Sequence, residues 1–226
     1  MTDVTATTAT TPQGPPTGLE FEVVGAEPIE YAAAPGVRFR LGVTEPQGRE
    51  IYTIALSAQI QIDPARRTYD DETRERLVEL FGAPERWSAT THSFQWAHVQ
   101  ALVPSFTGST EFTLDVPCTY DLEVAASKYF YSLPDGEVPL TFHFNGTVMY
   151  AGEQERLQVV LVPWSCSAPW RMPVEIWTRT IANHYPAGGW IRLHQDTLGA
   201  LLHNKARQGD YSFDETVRRL LGEEGG

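Results

Sequence analysis

YTIALSAQIQI, residues 52–62, decides the architecture. Tyr52, Ile54, Leu56, Ala58, Ile60 and Ile62 share one parity, and Thr53, Ser57, Gln59 and Gln61 share the other. A period of two sustained over this length means a strand with one buried and one wet face, the habit of an antiparallel sheet. Asp63-Pro64 ends it.

The same pattern recurs on both sides. Upstream, Leu19, Phe21 and Val23 alternate, then Val37, Phe39, Leu41 and Val43 before the turn Glu45-Pro46-Gln47-Gly48. Downstream, Phe94 and Trp96 share one parity while Val99, Ala101 and Val103 share the other, so a bulge is expected near His98. Phe112, Leu114 and Val116 alternate, as do Tyr120, Leu122 and Val124 across Pro117. Leu133-Pro134-Asp135-Gly136 reads as a turn.

Asn145-Gly146 resembles a two-residue hairpin turn, yet Leu140, Phe142, Phe144, Val148 and Tyr150 keep a single parity through it. One long strand with Gly146 at a point of close packing fits better. Its hairpin loop is then Ala151–Glu155, returning into Leu157, Val159 and Leu161.

Between these strands one helical insertion is expected near residues 70–82. Asp70 or Thr68 can cap it, Leu77, Leu80 and Phe81 fall at helical spacing, and Gly82 and Pro84 terminate it. About eight strands with no strand–helix–strand rhythm predict a mainly β fold, an antiparallel two-sheet sandwich of Ig-like architecture over residues 18–163. From residue 164 to 221 a helical C-terminal subdomain packed on the sandwich is expected. Val174, Trp177, Thr178 and Ile181 mark its first helix after Pro173. Leu198, Leu201 and Leu202 mark a second, with Asp196 as a cap, and Ser212 with Glu215 forms a capping box for a third. Residues 1–17, rich in Thr, Ala and Pro, read as a disordered tail, and 222–226 as a frayed end.

The 226 residues are 42% hydrophobic, enough for a core without disulfides or metal, and carry a net charge of −12. Residues 164–226 hold seven basic and seven acidic side chains, so the whole excess lies in the first 163. Such a surface repels phosphate backbones, which argues against nucleic acid as partner. No apolar run is long enough to span a bilayer, and the N-terminus lacks the features of a secretory signal, so a cytoplasmic location with reduced thiols is expected.

No catalytic, cofactor-binding or metal-ligating set is legible. Cys118 and Cys166 form no CxxC pair. Asp115 and Asp121 beside Cys118 would raise its pKa rather than lower it. The six histidines form no HExxH pair, and neither phosphate-binding glycine loop nor nucleophile elbow occurs. The most unusual stretch is PWSCSAPWRMPVEIWTRTIANHYPAGGWIRL, residues 163–193. Trp, Tyr and Arg dominate interface hot spots, which makes Trp164, Trp170, Arg171, Tyr185, Trp190 and Arg192 the candidate interaction residues. Welding of the helices onto the sandwich is the first reading of these aromatics, strongest for Trp177, ahead of a protein interface and of a carbohydrate-stacking platform. Trp190, after Gly188-Gly189, is the ring most expected to be exposed.

VPWS at 162–165, a Trp-bearing helix ending in HYP, then GGWIRLHQDTL and a final DETVRRLL resemble an uncharacterised actinobacterial family of unknown function. The resemblance covers residue 18 to about 221 and carries over no functional residues. It also implies an association with nickel–iron hydrogenase genes, and hence an accessory or assembly partner. The expectation is therefore a non-catalytic interaction or accessory module with a protein partner, its oligomeric state open. A small-ligand or carbohydrate-binding sandwich and a cysteine-dependent enzyme are the alternatives.

Overall fold

The computed structural model describes residues 18–119, 121, 124–186 and 191–222. The expected tail at 1–17, Trp190 and residues 223–226 lie outside this set. The chain divides into two compact units, Met1–Gly189 and Trp190–Gly226.

The first unit is an antiparallel two-sheet sandwich. Its strands are β1 (Glu20–Pro28), β2 (Gly36–Thr44), β3 (Glu50–Ile62), β4 (Phe94–Val103), β5 (Phe106–Thr107), β6 (Ser109–Pro117), β7 (Glu137–Ala151), β8 (Leu157–Leu161) and β9 (Ser167–Pro173). One sheet has the order β1-β2-β6; the other runs β4-β3-β7-β8, with β5 on β3 and β9 on the edge of β7 that β8 also uses. The core lies between them: Phe39, Leu41, Ile54, Ile60, Phe142, Val148 and their neighbours are buried.

β3 buries Ile54, Leu56, Ala58, Ile60 and Ile62 as its period requires. Its first turn differs from expectation. The ladder to β7 shifts between Ile51 and Thr53, which turns Ile51 into the core and leaves Tyr52 half-buried. The β4 irregularity falls opposite Ile60 and Gln61, where Ala97 and Gln95 are the partners, one to three residues before His98. β7 runs unbroken through Asn145-Gly146, and the loop after Ala151 returns into β8.

Helices fill the ends. The insertion forms α1 (Asp71–Arg76) and α2 (Val78–Phe81), with Asp70 accepting from the Thr73 N–H and Gly82 ending it at a positive φ. α3 (Trp87–Thr90) follows. The alternation expected over 120–124 lies largely outside the described residues, which omit Tyr120, Leu122 and Glu123; after it comes α4 (Ala125–Tyr131), for which Val124 is the cap position. Ala126, Tyr129, Phe130 and Leu133 are its buried side.

Asp63 ties three strands at one corner. Its carboxylate is buried and accepts from Ser93 at 2.6 Å and from the Thr141 hydroxyl. Removing it leaves two hydroxyls without their acceptor, so Asp63→Ala should lower unfolding free energy by about 2 kcal/mol. Urea titration checks this, and a shift below about 0.5 kcal/mol would mean the corner is held by packing alone.

The helical region expected from residue 164 begins instead with a strand, β9. Its prolines Pro169 and Pro173 are tolerated because β9 is an edge. α5 (Val174–His184) then packs against β1, β2 and α4 within the first unit. The second unit holds α6 (Gln195–Gln208) and α7 (Phe213–Leu220). His194, rather than Asp196, occupies the cap position of α6. Ser212 caps α7 by accepting from the Glu215 N–H, while Glu215 reaches back to the Tyr211 N–H. Arg219 joins the pair, bonding Asn204 and Asp210 at 2.7 Å each.

Candidate interaction surface

The two sheets turn very different faces to solvent. On β1, β2 and β6 the outer face carries Glu20, Glu22, Arg38, Arg40, Glu111 and Asp115. Two pairs cross the ladder there, Arg38 with Asp115 and Arg40 with Glu111. Arg38 forks onto both oxygens of Asp115 at 2.7 Å, and that hydrogen bond holds the Asp115 carboxyl below the ordinary carboxylate range.

The outer face of the other sheet is built from the odd positions of β3, the alternating positions of β4, the odd positions of β7 and those of β8; at its β9 end it carries Glu137 and Arg171, and the part considered below starts at Thr141. Thr53–Gln61, Gln95–Leu102, Thr141–Met149 and Leu157–Leu161 contain no Asp, Glu, Lys or Arg. In register, Leu102 lies beside Ala55, Ala55 beside Thr147, and Thr147 beside Leu161; Thr53 lies beside Met149, and Met149 beside Val159. Exposure confirms that nothing described covers the row's ends: Leu102 is 74% exposed, Leu161 72%, Leu157 60% and Val159 58%.

Further along, the face is polar but uncharged. Ser57 and His98 share a hydrogen bond of 2.6 Å between Oγ and Nε2, and Gln59 donates to Gln95 at 3.0 Å. These cross-strand bonds hold the side chains flat against the sheet, so little rotamer freedom remains to be lost on docking. A hydroxyl beside an imidazole also invites a catalytic reading. A nucleophile pair needs a third group to orient the base, and the four charge-free segments supply no carboxylate. A depression of about 440 Å³ lies between Ala55, Ser57, Gln100 and Leu102.

The residues singled out from sequence differ in their surroundings. Trp164 sits in the turn closed by Cys166 N–H to Pro163 C=O at 3.0 Å, and is 93% exposed. Trp170 points inward and meets Phe39 edge-on at 5.8 Å, so much of its ring serves packing. Arg171, its outward neighbour, donates to the Arg66 carbonyl at 3.3 Å and borders a depression of about 530 Å³ with Arg66 and Glu137. Tyr185 is half-buried at the end of α5. Arg192 is exposed in the second unit, and Trp190 is not among the described residues. Trp177 is core: it stacks on Phe130 at 5.4 Å. Sequence reasoning passed over the uncharged face. Its signal was present in the wet side of residues 52–62, where Thr, Ser and Gln stand without a single charge in a chain of net −12.

Burial pushes the Cys118 thiol up to about 12, which keeps it protonated and weakly nucleophilic at neutral pH. The Cys166 thiol is also raised by burial and donates to the Leu19 carbonyl at 3.4 Å. Among the described residues no three His, Cys, Asp or Glu side chains gather to hold a metal, and no helix is long and apolar enough to cross a membrane.

A family model of unknown function matches residues 16–226. The chain belongs to that family, DUF6084. No curated protein matches the DUF6084 chain. Among solved structures it overlaps weakly with beta-glucosidase 3B from Thermotoga neapolitana in complex with alpha-D-glucose, at 10% identity and TM-score 0.23, over 68% of this chain and 17% of that one. Two structures of the beta-glucosidase from Kluyveromyces marxianus, one of them in complex with glucose, overlap at 5% and 6% identity and TM-score 0.22, over 69% of this chain and 15% of those. The chain thus spans about a sixth of the glucosidases, and the overlap is too slight to bear on function.

Proposed function

We propose that this DUF6084 protein is a non-catalytic interaction module that docks a protein partner on the outer face of its larger sheet. The supporting observation is the absence of charge there. Interface centres are depleted in charged residues, and although the chain's negative excess lies in its first 163 residues, the part of this face formed by β4, β3, β7 from Thr141 and β8 is free of it. The fitting partner presents an apolar and uncharged polar surface with a basic periphery. The sequence resemblance directs the search for it to proteins that assemble or operate nickel–iron hydrogenases.

A native-level pull-down from hydrogen-oxidising cells tests the reading. Leu102→Glu places a charge on the face at a position exposed enough to spare folding. It should weaken capture of a stoichiometric partner at least about tenfold, or 1.4 kcal/mol. A partner held equally well by Leu102→Glu would overturn the docking face. A lost partner that is unrelated to hydrogenase would leave the face standing and remove the hydrogenase assignment.

A further inference from the structure

We propose that two copies of the chain join edge to edge through β8, antiparallel, about a two-fold axis at Val159. β8 closes one end of its sheet. Val162 N–H donates to the Gly146 carbonyl at 3.0 Å, and Gly152 N–H to the Arg156 carbonyl at 2.9 Å. In an antiparallel ladder hydrogen-bonding residues alternate, so the even residues of β8 bond to β7. Leu157, Val159 and Leu161 therefore aim their N–H and C=O groups at the other edge, where no strand pairs with β8 among the described residues.

An open edge of this kind is a template for another strand, and proteins that keep such edges unpaired protect them with charge, proline or bulges. β8 has none of these within Leu157–Leu161. Its sequence, LQVVL, favours a second copy as the occupant. The outward residues are symmetric about Val159, so an antiparallel copy sets Val159 opposite Val159, and Leu157 opposite Leu161. Each of the three exchanges both of its backbone bonds with its counterpart, as hydrogen-bonded antiparallel pairs do. Every cross-strand pair on the outer face is then aliphatic with aliphatic. The charge pattern agrees: a body of net −12 repels its own kind, and β8 is a strand where two copies meet without opposing like charges. Such an interface is isologous and closes as a dimer rather than growing into a fibre.

Sedimentation of the full chain over micromolar concentrations tests this. The wild-type protein should approach twice its 25.2 kDa mass. Val159→Lys, which opposes two ammonium groups at the axis, should sediment as a monomer that still unfolds in one cooperative transition, its melting temperature no longer rising with concentration. Val159→Cys should form a covalent dimer on mild oxidation, because hydrogen-bonded partners stand about 5.5 Å apart at Cα, within disulfide range; the unsubstituted chain, with Cys118 and Cys166, is the control. A wild-type monomer at every concentration, a dimer that survives Val159→Lys, or a dimer in which Val159→Cys fails to cross-link would each overturn the proposal. Leu102→Glu, on β4 with β3 and β7 between it and β8, should leave the dimer intact, so edge pairing and partner docking fail separately.

Discussion

Gly146→Ala should leave the chain largely insoluble, and Gly146→Val more so. A Cβ at this position would stand 2.1 Å from the Ala55 carbonyl oxygen and 3.1 Å from the Leu56 Cα, both backbone atoms of β3, and the residue holds φ at +148°. Backbone cannot swing aside as the tip of a side chain can. Relief requires prising β3 from β7 in the middle of the larger sheet, where the ladder runs from Ile51 to Ile62. The expected penalty exceeds about 4 kcal/mol, a large part of the roughly 5–15 kcal/mol that holds a domain together. Gly108→Ala is the control: its φ is also positive, at +77°, but the added carbon meets nothing within 4 Å. It should cost only about 1 kcal/mol. Soluble yield and urea midpoints for the two variants check the contrast, and equal behaviour would show that the close approach is not a constraint.

Phe39→Ala should be nearly as damaging. The ring is wholly buried and receives three others edge-on: Phe142 at 5.1 Å, Trp170 at 5.8 Å and Trp96 at 5.9 Å. These come from β7, β9 and β4, whereas Phe39 belongs to β2, so one side chain joins the two sheets. The chain of rings continues from Trp96 to Phe130 and from Phe130 to Trp177, which fastens α4 and α5 to the same core. Truncation removes the area and leaves a void rigid rings cannot refill, about 3–5 kcal/mol. Phe39→Leu keeps part of the volume but loses the ring edges, so it should fall between. Urea unfolding followed by tryptophan fluorescence measures the series. A loss under about 1 kcal/mol for Phe39→Ala would show that the rings pack without depending on one another.

Much of this frame could be read from parity alone. β3 and the unbroken β7 follow from side chains that must face one way over many residues, and the same parity distinguished Gly146 as a packing point from Gly146 as a turn. Caps were legible for a similar reason, since Asp70 and Ser212 satisfy N–H groups close to them in sequence. The failures are non-local. β9 looks irregular by itself because two prolines interrupt it, and it becomes a strand only by lying along β7. α4 offers barely two turns, so Ala126, Tyr129 and Phe130 show their spacing too briefly to outweigh the alternation before them. Tyr52 kept the parity of Ile54 in sequence, but an irregularity that depends on its partner strand displaced it. The site was harder still. A cluster of aromatic residues drew attention to 163–193, yet Trp170 packs on Phe39, and Trp177 is core as its helical spacing with Ile181 indicates. The uncharged face combines residues from four separated segments, and it becomes a surface only once the strands are ordered side by side.

The contrast between the two outer faces has a consequence for how the molecule responds to acid. With an isoelectric point near 4.9, mild acidification neutralises the carboxylates that keep molecules apart in solution. The row of Leu102, Ala55, Thr147 and Leu161 has no ionisable side chain and so presents the same stickiness throughout. As the repulsion fades, that face becomes the preferred seat of clumping, and returning the solution to neutrality restores dispersal because no fold has been lost.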